Sequence, residues 1–312
     1  MQQDSAAPER WRDLMAAAVA LRSEGLDVKA QVAPRPIGVL LGLQASANLL
    51  TPCRDYARVA GLPLEERVDA LRDPERRRRL LASHATLTGD PDAFEGLAML
   101  ARFDHMFVLD DPVDYDLDTN RSLGAQARRA GVDPREYAYD RQLDHGGRQL
   151  IYLPLFNFAE GNLDAVEQMI TSPVALFGLS DAGAHCGQIC DGSMTTSYLS
   201  MWGRDRRAGD GISLESVVHQ ISRRPAAHVG WLDRGIVAPG YLGDLNVIDL
   251  DDLGCLPPEI VADLPAGGRR LLQGARGYRW TIKRGSVIAA DGVPTGELPG
   301  RLVRGAQAGK RR

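Results

Sequence analysis

The sequence predicts an α/β protein with a mostly parallel sheet, and three observations predict it. Short apolar runs bounded by turn residues, LDVKAQVAP, HMFVLDD, GRQLIYLPLFNFAEG and VALFG, read as strands. Amphipathic segments of helical period lie between them, so the two kinds of element alternate from about residue 9 to residue 231. Start and stop signals for helices fall where the alternation needs them, as in Gly25 after the first segment and Ser213 before a later one.

Taken in order, residues 9–24 place Trp11, Leu14, Met15, Ala18 and Leu21 on one helical face. The strand of LDVKAQVAP stops at Pro34, and IGVLLGL, residues 37–43, reads as a strand end or a buried turn. Residues 64–82 form a highly charged helical pattern. HMFVLDD is a strong strand ended by Asp110, Asp111 and Pro112, and residues 122–130 are helical. LDAVEQMI, residues 163–170, is a helix leading into the strand Val174–Phe177. A helix capped by Ser213 and a second with Pro225 in its first turn follow. At Trp231 the character changes to apolar–polar alternation with Gly and Pro turns, and Lys283-Arg284-Gly285 reads as a tight hairpin. About four strand–helix units precede that tail, whereas a closed (β/α)8 barrel takes eight in about 250 residues. The pattern is that of part of a barrel.

The 312 residues are 44% hydrophobic and 25% charged, with a net charge of −4. That balance gives no global attraction to nucleic acid or to an anionic membrane. Arg76–Arg79 is a basic run between Asp73-Pro74-Glu75 and Leu80-Leu81, and reads as the solvated face of a helix. No stretch reaches the ~20 apolar residues of a membrane helix, and the first fifteen residues lack the apolar centre of a signal peptide. The expectation is a cytoplasmic protein whose four cysteines are free thiols. His185, Cys186 and Cys190 put three ligand types within six residues, a poor tetrahedral site without a fourth partner elsewhere.

The stretch FGLSDAGAH, residues 177–185, places Asp181 and His185 just past a buried strand. Strand tips are where α/β enzymes collect catalytic side chains, and Asp also serves there as a helix cap or turn residue. Arg35, in RPIG, is either a carboxylate clamp or one half of an ion pair.

The segments GLSDAGAH, WLDRGIVAPGYLGDLNVIDLDDL, DLPAGGRRLLQGARGY and TIKRGSVIAADGVPTGELPGRLVRG together resemble an N-acyl-D-amino-acid deacylase, in the amidohydrolase 3 branch of the amidohydrolase superfamily. The most specific motif is RG-x4-G-x3-DL, from Arg234 to Leu245. The resemblance implies a partial (β/α)8 barrel over residues 1–232 and a small β-sandwich over 233–312. It implies hydrolysis of a non-peptide amide in a small N-acyl amino acid, assisted by one or two divalent ions, usually Zn2+. By motif position Asp181 is the metal-associated general base and acid, with Arg35 and His185 as substrate contacts. This sequence departs from the family in one respect. Its six histidines, at 84, 105, 145, 185, 219 and 228, include no His-x-His pair, so it matches the C-terminal half of the family and lacks most of the metal ligands. The expected partners are therefore a separate N-terminal half or a further copy of the chain. Two other readings stand beside this one: a non-catalytic remnant or interaction protein, and a dihydropyrimidinase-like hydrolase of cyclic amides, which the DLP-x-GG-RR stretch fits less well.

Overall fold

The first helix, Arg10–Ser23, buries Trp11, Met15 and Ala18. These lie at i, i+4 and i+7, a narrow stripe, and the flanking Leu14 and Leu21 of the predicted face are left exposed. In a computed structural model describing residues 1–90, 92, 95–178, 183–209 and 211–309, five short strands follow before residue 178. They are β1 (Ala30–Val32), β2 (Ile37–Leu41), β3 (Phe107–Val108), β4 (Ile151–Phe156) and β5 (Ala175–Phe177).

Two sheets result. β1 and β5 pair in parallel, Ala30 opposite Ala175 and Val32 opposite Phe177. β2, β4 and β3 form a second sheet in that order, and both of its pairings are antiparallel. The mixed α/β class agrees with the sequence; the mostly parallel sheet does not extend to these three strands. The reason lies in the sequence signal itself. The first four residues of β4 are buried on both faces, and such a run reports burial without direction. Gly38 makes the β2–β4 contact possible: a Cβ there would come within 2.9 Å of the Leu153 carbonyl carbon and of Pro154 Cα.

The helices follow their local chemistry closely. The charged pattern of 64–82 is two helices, Leu64–Arg72 and Pro74–Thr88. Asp73 stands between them in an extended conformation, with its carboxylate accepting from Arg76 N–H at 2.8 Å and Pro74 beginning the second helix. Arg77 and Arg79 on that helix face out toward Glu136, Asp140 and Asp55. Ser122 and Ser213 cap the helices Leu123–Ala130 and Leu214–Ile221 through their hydroxyls. Among the described residues no helix is long and apolar enough to cross a membrane.

The tail carries β6 (Leu245–Ile248), β7 (Gly254–Cys255), β8 (Glu259–Leu264), β9 (Gly268–Leu272), β10 (Ala275–Arg276), β11 (Tyr278–Lys283), β12 (Ser286–Ala290) and β13 (Val293–Pro294). All of their pairings are antiparallel, in a sheet of order β13-β12-β11-β6 and two ribbons, β8-β9 and β10-β7. The Lys283–Ser286 hairpin has Arg284 and Gly285 at φ 53 and 85°, the two positive values that a type I′ turn needs. Leu253, Cys255 and Leu271 of this tail are buried in one apolar cluster with Leu40, Tyr152 and Tyr198. The β tail therefore closes over the same core that the strands build.

Candidate functional site

The parallel pair sets the geometry. Because Val32 is opposite Phe177, the chain leaves β1 and β5 at the same end of the sheet. Gly178 N–H extends the pairing by donating to the Val32 carbonyl at 3.2 Å. Phe177 stacks flat on Tyr198, with centroids 5.4 Å apart and planes within 7°. Ser180 and Asp181 come next and lie outside the described residues.

The chain is described again from Gly183. His185 is exposed and has φ 47°, and its carbonyl accepts from the N–H groups of Gln188 and Ile189 at 2.8 and 2.9 Å. It is thus the first residue of a tight turn. That turn is held on two sides: Leu40 N–H donates to the Gln188 carbonyl at 2.7 Å, and Leu271 N–H to the Cys186 carbonyl at 2.7 Å. One segment after the strand tip is therefore tied to β2 and to β9 of the tail. Its exposed imidazole is free to meet a solute.

Arg35 follows β1 at that same end, and its side chain is buried in the interior. It is 1% exposed. Its guanidinium donates to Asp191 Oδ1 at 3.1 Å, to the hydroxyls of Ser193 and Ser197 at 3.1 and 3.2 Å, and to the Cys190 carbonyl at 3.2 Å. The ring of Tyr115 lies beneath it, 3.7 Å from the centroid. Burial opposes the charge, but Tyr115 and Asp191 outweigh it and hold the pKa above the ordinary arginine value. Of the two sequence readings of Arg35, the geometry displays the internal ion pair. The partners were invisible in the sequence because Asp191 is 156 residues away. The one available signal was an arginine set inside an apolar run, which needs a buried anion.

A polar network continues from this pair toward the tail. Gln273 accepts from Tyr115 Oη at 3.0 Å and from the Ser193 hydroxyl, and donates to the Leu256 carbonyl at 2.9 Å. Burial pushes the Tyr115 phenol up to about 12 and the Cys190 thiol up to about 11. Burial therefore disfavours the Cys190 thiolate, the form that acts as a nucleophile. His84 is buried with Arg135 Nε donating to its Nδ1 at 3.1 Å, and His105 packs edge-on to Phe158. Among the described residues no three His, Cys, Asp or Glu side chains converge as a metal site requires. The described residues do not fit the divalent ion that the sequence resemblance implies.

A family model described as the amidohydrolase family matches residues 1–289. No curated protein matches the chain. Among solved structures, it is similar to a D-aminoacylase described as defining a novel subset of amidohydrolases, at 20% identity and a TM-score of 0.34, over 62% of this chain and 36% of that one. It is also similar to a D-aminoacylase mutant in complex with CuCl2, at 18% identity and a TM-score of 0.33, over 64% and 37% of the two chains. The chain thus spans little more than a third of the length of these structures.

Proposed function

The chain belongs to the amidohydrolase family, and on that premise we propose that it takes part in hydrolysis of a small N-acyl amino acid, as a D-aminoacylase-like hydrolase of non-peptide C–N bonds. The family match over residues 1–289 carries this reading. The parallel β1–β5 pair supports it, because the chain enters the segment bearing Asp181 from the C-terminal end of a buried strand, where α/β scaffolds hold reacting groups. In the proposal the Asp181 carboxylate takes a proton from the attacking water and returns it to the leaving nitrogen. His185, exposed on its tight turn, is the proposed contact for the substrate's polar end. Arg35, enclosed by protein partners, is assigned to holding the 190–197 segment in place instead. Zinc is the ion that this reading implies, and the described residues supply no ligand set for it.

The test is hydrolysis of N-acetyl-D- and N-acetyl-L-amino acids and of hydantoin by the purified chain, with and without added Zn2+. Release of the D-amino acid is expected to exceed the other two, and Asp181→Asn to lower it by about 10²–10⁴-fold. Unchanged turnover in that variant would remove Asp181 from the reaction. The absence of a convergent ligand set among the described residues favours a second reading, an interaction protein that retains the fold; failure to hydrolyse any of the three substrates in the presence of Zn2+ would support it.

A further inference from the structure

Outside the strand-tip region, the loop after β3 and the helices beyond it enclose a polar cleft of about 440 Å³. Asp110, Asp114 and Asp118 come from the loop, and Arg121, Arg129, Arg141 and Asp144 come from the segments that follow. Some of these are matched charge to charge: Asp114 meets Arg207 at 2.6 Å and Arg121 at 3.8 Å, and Arg141 meets Asp144 at 3.1 Å. Arg129 and Asp118 make their hydrogen bonds to neutral groups. The Arg129 guanidinium donates to the Asn120 carbonyl at 2.7 Å, and the Asp118 carboxylate accepts from Asn120 N–H at 2.9 Å. Phe107, Val108 and Leu117 supply apolar lining.

We infer that this cleft binds a free, zwitterionic α-amino acid with an apolar side chain. Its carboxylate meets the guanidinium groups, which match it as a planar fork. Its ammonium meets the acidic loop, and its side chain meets the apolar lining. The cleft charges outside those ion pairs are Arg129 and the loop carboxylates Asp110 and Asp118, one sign on each side, so a ligand carrying both charges is the one favoured. The volume is within the range of small-molecule sites, about 300–1,000 Å³. The inference is independent of amide hydrolysis and holds whether or not the chain cleaves a substrate.

The experiment is calorimetric titration of the full chain with L-leucine and D-leucine, beside 4-methylpentanoate, which lacks the ammonium, and 3-methylbutylamine, which lacks the carboxylate. Leucine of at least one hand is expected to bind, and each truncated analogue to bind about tenfold or more weakly by comparison. Arg129→Gln and Asp118→Asn are each expected to weaken leucine by about tenfold or more. Both side chains are exposed and Asn retains the capping oxygen, so unchanged thermal melting separates lost binding from lost folding. Absence of leucine binding, equal affinity for 4-methylpentanoate, or leucine affinity unaltered in both variants would overturn the inference.

Discussion

Replacing Arg35 by Met separates the two readings that its position in the sequence allows. The side chains of Arg35 and Asp191 are 1% and 3% exposed, with nitrogen and oxygen 3.1 Å apart. Removing the guanidinium leaves the Asp191 carboxylate buried without that charge, and also removes donors from two serine hydroxyls and the Cys190 carbonyl. Breaking a buried pair of this kind costs about 3–5 kcal/mol. Against a total stability of about 5–15 kcal/mol, that is a large fraction. With a urea slope of about 3 kcal/mol/M, the midpoint should fall by roughly 1 M or more. The assay is urea unfolding followed by circular dichroism at pH 7. A second variant gives the sign: Arg35→Met combined with Asp191→Leu should be more stable than Arg35→Met alone, since the buried carboxylate that lost its guanidinium is gone. A midpoint shift under about 0.3 M, equivalent to roughly 1 kcal/mol, would refute the structural role. Lost substrate affinity with unchanged stability would restore the carboxylate clamp.

Further expectations can be checked with the same instrument. Burial, then the nearby Arg135 charge, lowers His84 to about 4 from 6.5. The folded form therefore holds fewer protons than the unfolded chain between those values, so stability falls with pH through this window. The loss between pH 7 and 4.5 should be about 2–3 kcal/mol, and urea midpoints of His84→Gln should lack that component. Gly38→Ala pushes a methyl against the β4 backbone and should cost about 3 kcal/mol or more, read as a lower melting temperature. Gln273→Leu strips an acceptor from Tyr115 and Ser193 and should cost about 1–3 kcal/mol; a value near zero would mean that the tail does not brace the Arg35 network.

Positions of elements were largely legible in the sequence, and their directions and partners were not. Ser122 and Ser213 mark helix starts through bonds local to a few residues, so reading them requires no knowledge of the fold, whereas the break at Asp73-Pro74 inside the charged pattern of 64–82 went unread. HMFVLDD looked like a full strand, yet only Phe107 and Val108 pair with β4. Apolar content records that a segment is buried; how far a neighbour runs alongside it is a tertiary fact. The same limit hid Asp191 from Arg35 and Gln273 from Tyr115, pairs separated by more than 150 residues.

The family itself was legible for a reason distinct from its chemistry. In the motif from Arg234 to Leu245, Arg234 pairs with Asp233 at 2.8 Å and lies 3.9 Å from Asp244. Asp244 in turn accepts from Lys283 and from Arg284 N–H, holding the β11–β12 hairpin. Gly235 sits at φ 80° where a Cβ would lie 2.8 Å from Arg223 Cα. Each of these demands is one of packing and turn geometry, and together they hold the tail against the helices before it. Hydrolysis makes a separate demand, a water and a carboxylate held at a strand tip. The residues that make the family recognisable are therefore distinct from the residue proposed to act, and substitution at Asp181 tests that proposal.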